Sequence, residues 1–103
     1  MIDNSKEYIL CAANWYKDMP FNLVYSCKNI DKGVVLCGYR HHDIIGQCVS
    51  LLDKAQYELG EYVQGFITSK NRFLNRKEAA KLWIELGNTL QYSTEELFSE
   101  DLY

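Results

Sequence analysis

The stretch Asn75-Arg76-Lys77-Glu78 constrains this 103-residue chain more than any other. Asn75 can accept from the third helical amide while Glu78 reaches back to the amide of the cap, so two orphan donors are satisfied reciprocally. This predicts a helix over Arg76–Leu86 that stops at Gly87. Ala79, Ala80, Trp83 and Leu86 then form its buried face.

Upstream, the hydrophobic period is shorter. Glu7–Tyr16 is rich in strand formers and reads as a first strand, with Ile9, Cys11 and Ala13 on one face and Leu10 and Ala12 on the other. Lys17-Asp18-Met19-Pro20 is a turn carrying the single proline. Asn22–Cys27 reads as a short second strand and Asn29–Gly33 as a turn. Val34–Cys37 is nearly all apolar, which predicts a strand covered on both faces. From His42 to Tyr57 the apolar positions Ile45, Cys48, Val49, Leu52 and Ala55 recur at three and four, the stripe of an amphipathic helix. Gly60 is its expected end. Val63–Thr68 reads as another strand, and a last helical turn is expected from Ser93 or Thr94. The fold class is therefore α+β, a small antiparallel sheet packed with two main helices in one domain, 1–103.

Eleven basic against fourteen acidic residues give a net charge of −3, which argues against coating DNA or RNA. No apolar run approaches the length of a membrane span. The first residues lack a basic region followed by an apolar stretch, so no signal peptide is expected. Four cysteines at 11, 27, 37 and 48 then read as reduced, mostly buried thiols. Their spacings lack the closely paired ligands usual in structural zinc sites, although His41 and His42 stand near Cys37. The eight tyrosines suit strands, interfaces and ligand pockets alike.

Two loops share a design. Cys37-Gly38-Tyr39-Arg40-His41-His42-Asp43 runs from a strand to a helix start, where free amides and Arg40 suit a phosphate. The alternative is that Arg40 pairs with Asp43 or lies on the surface. The second loop, Gly65 through Arg76, carries Thr68, Ser69 and Asn71 as hydrogen-bonders. Arg72 and Arg76 are its anion partners, and Phe66 and Phe73 its candidate stacking faces. The alternative there is a polar hairpin loop with one core phenylalanine. An activated thiol made by Cys37 with His41 or His42, oriented by Asp43, has no nucleophile signature around it.

Ile9–Ala13, Val35–Asp43, Gln64–Ser69 with Arg72–Ala80, and the closing Ser99-Glu100-Asp101-Leu102-Tyr103 together resemble the phage-encoded Thoeris anti-defence proteins of the first type. The resemblance covers most of the chain outside residues near 17–32 and 54–62. It implies a viral immune-evasion protein of the bacterial cytoplasm that sequesters a cyclic ADP-ribose isomer without cleaving it. It also implies a homo-oligomer, a dimer or hexamer, with pockets between protomers and, in some members, separate sites for cyclic trinucleotides. Carried onto this chain, it makes Arg40, Phe66, Asn75 and Arg76 the first pocket candidates, with Thr68, Ser69 and Arg72 behind them.

The residues agree with that implication, because cations for a pyrophosphate, an aromatic face for adenine and hydrogen-bonders for ribose are all present. A non-enzymatic oligomerisation or protein-binding module is the main rival. A small nucleotide hydrolase is the other. It needs a positioned base and usually a metal, and acidic residues in the two loops are sparse. No catalytic residue, metal or cofactor is expected.

Overall fold

The computed structural model describes residues 6–18, 27–52 and 60–102. Four strands, β1 (Ile9–Tyr16), β2 (Val34–Gly38), β3 (Tyr62–Thr68) and β4 (Phe73–Asn75), form one antiparallel sheet in the order β2-β1-β3-β4. Two main helices, α1 (His41–Leu52) and α2 (Arg76–Glu85), pack on it, and a short α3 (Ser99–Leu102) closes the described chain. This is the α+β architecture expected. The expected strand Asn22–Cys27 lies outside the described residues apart from Cys27, as do the end of the Lys17–Pro20 turn and helix positions beyond Leu52.

The sheet separates two apolar clusters. On one face Ala12, Tyr16, Ile44, Phe66, Leu74, Ala79, Ala80 and Leu97 are buried together. On the other, Ala13, Cys27 and Phe73 are covered by Trp15, Ile30, Val35, Val63 and Ile67. Strict alternation places Ile9 with Cys11 and Ala13. Instead Ile9 packs with Ala12, because the β1–β3 register shifts between Ile9, opposite Thr68, and Cys11, opposite Ile67. An extra residue against one partner residue is a β-bulge, and it reverses the face of everything before it.

Three further expectations change. β2 is an edge strand, so Cys37 at its end is exposed and not covered on both faces. In α1, Ile44 is fully buried and Val49 is 53% exposed, so the buried stripe is rotated away from Val49. His41 is anchored to the sheet, and a residue three positions on returns near the same side, whereas Val49 is about 140° round from Ile44. The segment after Thr68 is a hairpin and not only a helix lead-in. Its loop turns at Asn71, with φ of 58°, and Thr68 N–H donates to the Arg72 carbonyl at 2.9 Å. The free edge of β4 is met by a side chain. The Asn29 amide accepts from Phe73 N–H at 2.8 Å and donates to the Phe73 carbonyl.

The ends of α2 match the sequence closely. Asn75 Oδ1 accepts from Glu78 N–H at 2.8 Å, and Asn75 N–H donates to Glu78 Oε1 at 3.0 Å. At the other end Gly87 has φ of 91°, Gly87 N–H donates to the Ile84 carbonyl, and Asn88 N–H to that of Trp83. This is a Schellman motif, in which glycine takes the left-handed position without a Cβ penalty. The last helical turn starts at Ser99, later than expected. Ser93 Oγ does accept from the amides of Glu95 and Glu96, as a cap does. The chain then leaves that turn because Leu97 is buried in the core and its N–H donates to the Arg76 carbonyl at 3.0 Å.

Gly65 sits where β3 and β4 approach most closely. A Cβ there would run into the Leu74 carbonyl and the Phe73 ring. Backbone cannot yield as a flexible side chain does, so Gly65→Ala is expected to destabilise the fold by about 3 kcal/mol, at the upper end of ordinary overpacking. Urea unfolding should show a lower midpoint with an unchanged slope.

Candidate functional site

The helix starts of the two loops meet. His41, the first residue of α1, is 7% exposed, and Arg76 is the first residue of α2. His41 Nε2 lies 2.9 Å from the Gly65 carbonyl, and its Nδ1 lies 3.4 Å from Arg76 Nη2. The carbonyl can only accept and the guanidinium can only donate. The neutral imidazole therefore carries its proton on Nε2 and accepts on Nδ1. Burial holds the imidazole below its usual 6.5, opposed by the Gly65 carbonyl, and the Arg76 charge lowers it further.

Arg76 is held on several sides. Its guanidinium carbon lies 4.5 Å from the centre of the Phe98 ring, a cation–π contact. Burial pulls its pKa down, while the nearby Glu96 and Glu100 carboxylates pull it up. Its Nε is buried with no hydrogen-bond partner among the described residues. A buried donor left unmet costs about 1–3 kcal/mol. Gln64, Asn75, Arg76, Lys77 and Glu96 line a shallow depression of about 270 Å³ here.

The other first candidates lie around this point. Arg40 directly precedes α1, and its guanidinium carbon stands 4.8 Å from the centre of the exposed Tyr39 ring. Asp43 does bond Arg40, through the backbone: its Oδ2 accepts from Arg40 N–H at 3.0 Å. Asn75 uses its side-chain oxygen to cap α2. Phe66, read as a stacking face, is fully buried and meets the His41 ring edge-on at a centroid distance of 5.3 Å. Within one chain it offers no open face to a base. Phe73 is buried in the opposite cluster, so both phenylalanines of the loop are core residues.

Thr68, Ser69 and Arg72 stand apart, at the hairpin end of β4, while Arg76 follows its other end. The three residues of β4 lie between the two arginines, and the four steps from one to the other span roughly 13 Å. Arg72 is engaged bidentately by Glu7: Nε to Oε2 and Nη2 to Oε1, both at 2.8 Å. Thr68 Oγ1 donates to the same carboxylate at 2.6 Å, and Ser69 Oγ accepts from Tyr8 N–H at 2.9 Å. These three candidates thus tie the hairpin to the start of the first strand. Glu7 was not a site candidate from sequence, since it is 65 residues from Arg72.

Phe98 was likewise not among the site candidates, and His41 stood there only as an alternative partner for the Cys37 thiol. The adjacent Arg40 marked the neighbourhood of His41, while no local pattern around Phe98 distinguishes it from a core residue. Both ring nitrogens of His41 are engaged away from Cys37, so His41 does not make the thiol–imidazole pair considered from sequence. Among the described residues, no group of three or more His, Cys, Asp or Glu could hold a metal ion.

Two pH dependences follow. The Arg72 bonds hold the Glu7 carboxyl below its usual 4.5. Its stabilising contribution is complete above that value and is lost as pH falls through the lowered one. Melting from about pH 6 down to pH 3 should therefore show a steeper loss in the wild type than in Glu7→Gln. His41 also resists protonation in the fold, so folding loses free energy as pH falls below 6.5. An imidazole NMR titration should place its midpoint below 6.5.

Residues 8–103 match the family described as Phage T4 y16D protein, and the chain belongs to that family. No curated protein and no solved structure matches it. No helix among the described residues is long and apolar enough to cross a membrane.

Proposed function

We propose that this member of the phage T4 y16D family sequesters a cyclic ADP-ribose-type immune signal in the host cytoplasm and releases it intact, as its resemblance to the Thoeris anti-defence sponges implies. The observation that carries the reading is the half-buried Arg76 guanidinium at the start of α2, with its unmet Nε, beside His41 at the start of α1. Two helix N-termini bring free amides and partial positive charge to one place. Arg40 and Arg76 add planar forks suited to a pyrophosphate. Tyr39, 59% exposed beside Arg40, offers the adenine a ring face that the enclosed Phe66 does not.

A depression of about 270 Å³ is too shallow to enclose such a nucleotide alone. A second copy would complete the wall, and the resemblance implies such a homo-oligomer, a dimer or hexamer. Exposed Tyr39, Val49, Ile84 and Tyr92 provide apolar surface for such contacts. The same surface favours the second reading, a module that only oligomerises or binds protein. Cyclic trinucleotides are candidate second ligands.

Arg76→Ala should fold and bind a cyclic ADP-ribose isomer about ten- to a hundredfold more weakly, the loss of one charge-assisted partner at about 1.5–3 kcal/mol. Calorimetry of the folded variant measures this. Unchanged affinity would remove the site assignment, and no binding by the wild type would leave the oligomerisation module. Chromatography of ligand released by heat should return it uncleaved; a cleaved product would favour a hydrolase. Light scattering should give a mass above the 12.0 kDa of one chain.

A further inference from the structure

On the sheet, the fold gathers thiols that the sequence keeps apart. Cys11 lies on β1 and Cys37 on β2, and the two strands pair antiparallel with Ala13 opposite Cys37 and Ala12 opposite Gly38. Cys11 and Cys37 are thus diagonal neighbours on one face of the sheet. Cys37 lies close enough for its charge to raise the Cys11 pKa, after burial itself. Cys37 is exposed on the edge strand, Cys11 is half-buried behind it, and both are free thiols. Cys27, buried, is close enough for the charge on Cys37 to raise its pKa, after burial itself.

We propose that Cys11 and Cys37 form a peroxide-responsive dithiol, with Cys37 the sulfur that is attacked first and Cys11 the one that resolves it. The exposed Cys37 thiolate attacks one oxygen of hydrogen peroxide. An S–O bond forms, the O–O bond breaks, and hydroxide leaves and takes up a proton as water. Cys37 becomes a sulfenic acid, oxidised by two electrons. The Cys11 sulfur then attacks that sulfur. The S–S bond forms, the S–O bond breaks, and the departing hydroxide takes the Cys11 proton as a second water. The sum is two thiols and one peroxide giving one disulfide and two waters.

Position divides the roles. Burial, then the Cys37 charge, pushes the Cys11 thiol up to about 11, so Cys11 does not compete for the oxidant at neutral pH. Once Cys37 has become an uncharged sulfenic acid that charge is gone, and the neighbouring Cys11 is already in place. The bond would fasten β1 to the end of β2, where the Cys37 carbonyl also accepts from Gln47 Nε2 of α1 at 2.9 Å. The inference does not depend on which ligand the helix starts hold.

Reduced full-length protein treated with hydrogen peroxide, then alkylated and peptide-mapped, tests this. The expected result is a monomer-internal disulfide joining the Cys11 and Cys37 peptides, with the other two of the four thiols still alkylated, reversed by dithiothreitol. Cys27→Ser should keep the disulfide and Cys37→Ser should abolish it. Cys11→Ser should leave a sulfenic acid on Cys37 that dimedone traps. Four alkylated thiols after treatment would overturn the proposal. So would a bond between chains, a bond to Cys27 or Cys48, or Cys37 passing to sulfinic acid while Cys11 stays alkylated.

Discussion

The His41 imidazole joins three elements at one point. Nε2 reaches the Gly65 carbonyl of β3, Nδ1 meets Arg76 at the start of α2, and the ring stands edge-on to Phe66. Because His41 opens α1, these contacts fix where that helix starts and how it is rotated. Ile44 then turns inward and Val49 outward. A neutral ring satisfies both nitrogens here, but a protonated one would aim a second donor at a guanidinium. Burial, which depresses the pKa, is therefore consistent with the hydrogen-bond pattern and not opposed to it.

Gly65 makes that geometry available. The backbone of β4 passes where a Cβ would stand, which brings Leu74 and the start of α2 close to β3. The capping box then turns the chain from Asn75 directly into α2, placing Arg76 at the junction. The loss of such a cap costs about 1 kcal/mol, little for a whole fold but enough to move a helix end. The C-terminal segment closes the other side through the Leu97 amide and the Phe98 ring. Arg76 is thus held by sheet, helix and tail at once, which lowers the entropy an arginine of this length would lose on meeting a ligand.

What was legible in the sequence was local. The capping box, the Gly87 stop, the α2 face and the strand Val63–Thr68 each depend on residues within about one turn or one pleat of one another. What was not legible depends on distant partners. The bulge before Cys11 comes from pairing with a strand more than fifty residues on, and no residue type near Leu10 announces it. β4 is three residues long and ends at a helix cap, so the stronger helix signal masks it. At the site, Arg40 and Arg76 were visible as arginines at helix starts, but His41 between them stood only as one of two alternative partners for Cys37.

Arg72 and Arg76 show why composition alone does not separate a structural cation from one suited to an anion. Both lie within one five-residue stretch, and both have acidic neighbours in an acidic protein. Glu7 takes Arg72 with two parallel bonds, which fill the face a phosphate would need. Glu96 and Glu100 act on Arg76 through their charge, and its guanidinium meets a neutral ring nitrogen and an aromatic face. Charges farther off than about 8 Å are screened at physiological salt, so the net −3 counts for little there. What counts is the geometry of the nearest carboxylate: a bidentate one quenches the fork of Arg72, whereas among the described residues none forms an ion pair with Arg76.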